Sequence, residues 1–276
     1  MKSLILLVFL MPASVSGYEW TVCVDPGHGL ASGTQCADGS FLEDDLNWEV
    51  GINLYDALKT EMGEGNVSIT RLADTRPSWT DRAQIGQGTM ADGFGNRVKG
   101  DSTDQVDVFV SIHLDTWNTS SNGTHIYING EGDKDNPDND PPTIDSSYAV
   151  SRDAINCMVI VTGQDWDGAC AFEQGVGMFD LPTDGYAPPD DGIMGRGDLL
   201  VLNDPGWSGT QRWHGRCLVE CEFMNAAFCG YLGESYTDYV DDVVNALLYA
   251  MKLYRQRADP GGTSRVVQIP LEAMSR

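Results

Sequence analysis

The chain has 276 residues, 41% of them hydrophobic, which supports one domain with a real core and excludes a fibre or a wholly disordered chain. Its formal net charge is −24, and only five Lys accompany twelve Arg. So negative a field disfavours nucleic acid and anionic lipid as partners, and it suits a saline medium in which ions screen self-repulsion.

Residues 1–17 read as a signal peptide. Met1-Lys2 is a short positive start, Leu4 to Met11 is an apolar run too short to span a bilayer, and small residues follow at Ala13, Ser14 and Ser16. The mature protein is therefore expected to be secreted or periplasmic, with no stable membrane insertion. Residues 18–258 are expected to form one folded domain, and 259–276 a flexible tail.

Trp20 to Asp25 is an apolar strand that stops at the Pro26-Gly27 turn. Leu46, Val50, Leu54, Leu58 and Met62 recur at helical spacing and predict a long helix. Val67 to Thr70 reads as a strand, and Ser78 to Gly88 as a helix with Ser78 as its cap. Asp107 to Ile112 reads as a buried central strand and Thr124 to Ile128 as another. Residues 144–163 read as a helix. Leu199 to Leu202 and Cys217 to Cys221 read as strands, and Val240, Val243, Val244, Leu247, Leu248 and Met251 mark a final amphipathic helix. Strands alternating with helices predict an α/β domain with a mostly parallel or mixed sheet.

Two stretches interrupt this pattern. Residues 165–195 form a long irregular connection, and 130–142 form an acidic loop rich in Pro and Gly. Asp133, Asp135, Asp138 and Asp140 in that loop suit either a solvated surface or calcium, though the EF-hand pattern and its closing Glu are missing.

Seven Cys in an exported chain predict disulfides with at least one Cys left over. Cys157 with Cys170 and Cys221 with Cys229 are the local candidate pairs, and Cys23, inside a strand, is the candidate free thiol. Spacing does not decide connectivity. With no Cys-x-x-Cys pair in the sequence, a zinc site built from Cys is not expected.

The chemistry points elsewhere. His28 follows the first strand and His113 ends the Val-Phe-Val-Ser-Ile strand, so both fall where α/β sheets gather their ligand sites. Glu43 opens the first long helix, and Glu220 lies in a late strand. These four positions suit one His/Glu/His zinc site with a second carboxylate beside it for proton transfer. Taken singly, each has a blander reading: a His at a strand end is commonly structural, and a Glu at a helix start commonly faces the dipole.

The surrounding motifs narrow the choice. Val24-Asp25-Pro26-Gly27-His28-Gly29, Glu43-Asp44-Asp45-Leu46-Asn47, Ser111-Ile112-His113-Leu114-Asp115 and Leu218-Val219-Glu220-Cys221-Glu222-Phe223-Met224-Asn225 occur in that order, with Arg71, Asp74 and Arg82 between them. This set resembles the zinc-dependent N-acetylmuramoyl-L-alanine amidases of the Amidase_3 type, over roughly residues 20–256. The resemblance implies a single domain with a twisted mixed sheet of about six strands, flanked by helices on both faces. It implies His28, Glu43 and His113 as zinc ligands and Glu220 as the catalytic carboxylate.

Asp25 and Asn47 are then candidates to orient the ligands, and Asp25 also suits a turn-stabilising role. Arg82 is expected to hold a loop by an ion pair, with substrate contact as the alternative. His125 reads as an ordinary strand residue or as a contact to substrate or metal. His214, close to Trp213, reads as a loop residue or part of a groove. Glu222 stands where the family usually has Gly and, two residues from Glu220, is expected to point to the opposite face of the strand and so lie off the site.

The implied reaction is zinc-dependent hydrolysis of the amide between N-acetylmuramic acid and L-alanine, with peptidoglycan as partner. The rivals are a zinc peptidase or amidase acting on another amide, and a non-catalytic wall-binding protein of the same fold. Oligomeric state is not readable from the chain.

Overall fold

The structure, a computed structural model, describes residues 20–99, 105–115, 124–128, 150, 154, 158, 193–195, 200–203, 207 and 215–258. The expected signal peptide, tail and acidic loop lie outside the described residues, as do Cys157, Cys170, His214 and most of 144–163 and 165–195.

Six strands form one mixed sheet in the order β2-β1-β3-β6-β4-β5. In chain order these are β1 (Val22–Pro26), β2 (Val67–Ile69), β3 (Val108–Asp115), β4 (His125–Ile128), β5 (Ile193–Gly195) and β6 (Gly215–Phe223). All neighbours run parallel except β4 and β6. The helices are α1 (Glu43–Met62), α2 (Trp79–Gly86), α3 (Leu200–Asn203) and α4 (Ala226–Ala258), the last broken at Ser235.

Strand alternation sorts the core into two layers. Val22, Val24, Val108, Val110, Ile112, Cys217 and Val219 pack with Leu46, Val50, Leu54 and Leu58 of α1 and with Val240, Val243 and Leu247 of α4. Cys23, Phe109 and Leu218 point the other way, onto Ala83 and Ile85 of α2 and Val201 and Leu202 of α3. Each large apolar side chain so buried stabilises the fold by roughly 1.5–3 kcal/mol. Helices thus cover both faces, as expected.

The chain passes from β1 through α1 to β2 on one side, then returns through α2 to β3 on the other. The order therefore switches direction between β1 and β3. Beyond the carboxyl ends of those two strands lies the crevice where such sheets bind ligands. His28 and His113 belong to those two ends.

Three expectations need correction. Leu199 to Leu202 is not a strand, because Leu200–Asn203 is helical. A four-residue apolar run carries no periodicity that separates strand from helix, and its packing on α2 and Phe109 decides. Next, Ile193–Gly195 of the expected irregular connection is a strand, which β4 pairs in parallel at the sheet edge. Finally, Cys229 does not pair with Cys221. It is bonded to Cys36, 193 residues away in sequence, with Cα atoms 5.9 Å apart, inside the range a disulfide requires. Cys221 and Cys217 of β6 and Cys23 of β1 are buried and lie outside the described disulfide. Residues 150, 154 and 158, within the expected helix 144–163, are helical and buried.

Candidate metal centre

His28 leaves β1 in the left-handed region with φ 57°, and Leu30 and Ala31 follow at 55° and 53°. Such backbone costs about 1–3 kcal/mol per non-glycine residue and persists only where surroundings enforce it. Two buried arginines do so. Arg82 of α2 donates from Nη1 to the Pro26 carbonyl at 2.7 Å, from Nη2 to the His28 carbonyl, and from Nε to the Pro77 carbonyl at 3.2 Å. Arg71, which follows β2, donates from Nε to the Pro26 carbonyl at 3.0 Å and from Nη2 to the Gly27 carbonyl at 2.9 Å.

Each arginine is matched by a buried acid. Asp25 Oδ1 accepts from Arg82 Nη1 at 2.7 Å and from Thr70 Oγ1, and its Oδ2 accepts from Ser111 Oγ at 2.6 Å. Asp44 Oδ1 accepts from Arg71 Nη2 at 2.6 Å, while its Oδ2 accepts from Ala31 N at 2.8 Å. Arg82 is set by the start of α2. Ser78 Oγ accepts from Asp81 N at 3.1 Å and Asp81 Oδ2 accepts from Ser78 N at 3.0 Å, a capping box on the expected cap residue.

Glu43 is the first residue of α1, in an acidic first turn that suits the positive end of the helix dipole. Its carboxylate is almost wholly buried and lies between the two imidazoles. Oε1 is 2.8 Å from His28 Nε2 and 3.2 Å from His113 Nδ1. Asn47 Nδ2 and Leu114 N also donate to Oε1 at 3.2 Å, and Thr34 N donates to Oε2 at 2.9 Å. Burial alone pushes this carboxyl up. The hydrogen bonds and charges of His113 and His28 together outweigh that and hold it well below the usual carboxylate range.

The His28 and His113 rings meet edge to face with centroids 4.8 Å apart. Close backbone makes this possible. A Cβ at Gly27 would stand 2.5 Å from the His113 ring, and one at Gly33, where φ is +98°, would stand 2.9 Å from both Glu43 Oε2 and the His28 ring.

One ligand atom from each of His28, Glu43 and His113 lies within 4.8 Å of the others. That is close to the spacing of donors about 2 Å from one shared ion, and imidazole with carboxylate is a donor set zinc accepts. The three residues therefore fit a divalent cation. Asn47 touches this set through Glu43, and Asp25 through the Arg82 that holds the His28 backbone.

Register places Glu220 of β6 directly beside His113 of β3, on the same face of the sheet and one strand spacing away, about 4.8 Å. Glu220 is only partly buried, unlike the rest of its strand. His125 of β4 is the residue opposite Glu220 on the other side. Strict alternation would put Glu222 on the Glu220 face. Between His113 and Asp115, however, β6 advances from Glu220 to Phe223, one residue more than β3 does. This extra residue breaks the alternation. Glu222 is buried and accepts from Phe223 N at 2.9 Å. Its charge is felt by the buried Tyr239 of α4, whose hydroxyl is pushed up first by burial and then by Cys221 and Glu222. The two carboxylates therefore occupy different surroundings.

Sequence reasoning missed Thr34, Asp44, Thr70 and Ser111, and used Arg71 only as an ordering mark. Thr70 and Ser111 carried a faint signal as hydroxyls within apolar runs. Thr34 acts through its backbone, which leaves no trace in residue type.

The model of the N-acetylmuramoyl-L-alanine amidase family, Amidase_3, matches residues 22–158. No curated protein sequence matches the chain. Among solved structures, the chain is similar to the CwlD amidase of Clostridioides difficile, determined with the GerS lipoprotein, at 17% identity and a TM-score of 0.58, covering 86% of this chain and 99% of that one. It is similar to the N-acetylmuramoyl-L-alanine amidase AmiC2 of Nostoc punctiforme at 19% identity and a TM-score of 0.57, covering 87% and 98%. The N-acetylmuramyl-L-alanine amidase Ami1 of Mycobacterium smegmatis follows at 17% identity and a TM-score of 0.56, covering 86% and 97%. At these identities the likeness to solved structures establishes the fold.

Proposed function

Because this chain belongs to the N-acetylmuramoyl-L-alanine amidase family, we propose that it hydrolyses the amide between the lactyl group of N-acetylmuramic acid and L-alanine in peptidoglycan, with zinc as its metal. The observation that carries this reading is the meeting of His28, Glu43 and His113 within 4.8 Å, with Glu220 on the strand beside His113.

His28 and His113 hold the metal through imidazole nitrogens, and Glu43 supplies the third ligand and one negative charge. When bound, zinc polarises the scissile carbonyl and acidifies the attacking water. Glu220 takes the proton of that water and delivers it to the departing alanine amine. Asn47 orients Glu43, and Asp25 with Arg82 fixes the backbone that presents His28. Export to the cell wall is the setting this substrate requires, and among the described residues no helix is long and apolar enough to cross a membrane.

Elemental analysis of the purified protein, with mass spectrometry of digested peptidoglycan, tests the proposal. One zinc per chain and intact stem peptides beginning at L-Ala are expected. A cut within the stem peptide would instead mark a peptidase. Glu220→Gln is expected to retain zinc while turnover falls about 10²–10⁴-fold. Full activity in that variant would remove Glu220 from its role.

A further inference from the structure

The loop from Gly29 to Leu42 joins β1 to α1 and so links two of the three metal-holding residues. Its outer part is a small hairpin. Gln35 bridges Leu42, Cys36 N donates to the Phe41 carbonyl at 2.9 Å, and Gly39 N donates to the Cys36 carbonyl at 2.8 Å. From Gln35 to Ser40, Cys36 alone is buried. The Cys36–Cys229 disulfide is therefore the main tie of this hairpin to the core, beside the partly buried Phe41, which stacks on Tyr236 with ring centroids 5.5 Å apart.

The hairpin in turn secures the metal centre. Thr34, two residues from Cys36, exchanges hydrogen bonds with Glu43: Thr34 N donates to Oε2 at 2.9 Å, and Glu43 N donates to the Thr34 carbonyl at 2.7 Å. Gly33 packs directly on the His28 ring and the Glu43 carboxylate. At the other end, Cys229 lies in the first turn of α4, where its N–H donates to the Asn225 carbonyl at 2.9 Å and Phe228 N donates to Asn225 Oδ1 at 2.9 Å. Asn225 closely follows β6, the strand of Glu220. The bond thus ties the metal-holding loop to the strand–helix junction behind the proposed catalytic carboxylate.

We propose that the Cys36–Cys229 disulfide is a positioning pair for the metal centre, so that retention of zinc depends on its redox state. This rests on the zinc reading above. A phosphine reductant breaks the bond in a balanced step: phosphorus is oxidised to phosphine oxide with the oxygen of one water, and that water's two hydrogens end on the Cys36 and Cys229 sulfurs. The hairpin then loses its one buried anchor, and Thr34 no longer holds Glu43 Oε2 in place.

Zinc competition titrations on the full chain test this. Three samples are compared: the oxidised parent, the parent reduced with a phosphine and alkylated at its thiols, and a Cys36→Ser/Cys229→Ser variant. Reduction and the double substitution are each expected to weaken zinc binding about 10–100-fold, the usual effect of losing groups that orient a metal ligand. The same reduction should leave the variant unchanged, which controls for the other cysteines. Amide exchange at Thr34 and Glu43 should quicken in both weakened samples. If the variant is folded by circular dichroism and binds zinc within about twofold of the parent, the proposal is overturned. Should the variant not fold, equal zinc affinity of the parent before and after reduction overturns it instead. An oxidised parent that binds no zinc would sink the metal reading itself, a distinct result.

Discussion

Arg82→Met is the substitution whose consequences follow most directly from the geometry. The side chains of Arg82 and Asp25 are 5% and 1% exposed, so their 2.7 Å contact is a buried ion pair. Methionine fills much of the space but donates nothing. Asp25 Oδ1 would retain only Thr70, and the carbonyls of Pro26, His28 and Pro77 would each lose a donor. Removing one member of a buried pair costs about 3–5 kcal/mol. For a domain of this size each kcal/mol lowers Tm by about 2–4 °C, so the expected fall is about 6–20 °C. Total stability of about 5–15 kcal/mol leaves a folded population to study. The His28 backbone would also be released, and zinc affinity should fall about tenfold or more. Thermal unfolding by circular dichroism and a zinc competition titration measure the two effects. Arg82→Lys keeps the charge but loses the planar fork that reaches Asp25 and the carbonyls together, so it should fall between parent and Met. A Tm within about 2 °C of the parent, with unchanged zinc affinity, would refute the assignment of Arg82 as the clamp on His28.

Other outcomes follow from the same site. Gly27→Ala places a methyl group 2.5 Å from the His113 ring, so zinc binding should be lost while far-UV circular dichroism stays native. Glu43 has a lowered pKa in the folded chain, so its stabilising contribution is fully present above about pH 4.5 and is lost as pH falls below that value. Urea titrations of zinc-free protein through that range should show the slope, and Glu43→Gln should flatten it. Ser78→Ala removes the α2 capping box and should cost about 1 kcal/mol in the same titrations, with Ser78→Asp restoring most of it.

Much of this architecture was legible in residue order. The α1 spacing, the buried apolar runs of β1 and β3, and the Ser78 cap each follow from local rules of side-chain direction and hydrogen bonding. The meeting of His28, Glu43 and His113 was legible too, because each lies in a short motif at a strand end or helix start. The short elements were not. Leu200–Asn203 and Ile193–Gly195 hold too few residues to show a period, and their conformations are set by the surfaces they meet. Glu222 was expected on the opposite face from Glu220, but residues two apart share a face in a regular strand; it is the extra residue in β6 that breaks the alternation between them, which composition does not encode.

By itself, then, the amino-acid order determined which faces are apolar, where strands end, and which side chains are of a type that can bind a metal, since those properties belong to single residues and their near neighbours. Tertiary structure alone decided that Cys229 meets Cys36 rather than Cys221, that Arg71 and Arg82 converge on the carbonyls before and at His28, and that Thr34 steadies Glu43 through a backbone N–H. Each of these depends on segments far apart in the chain, or on main-chain groups common to nearly all residues. Their partners are fixed only when the sheet and its two helical layers close around them.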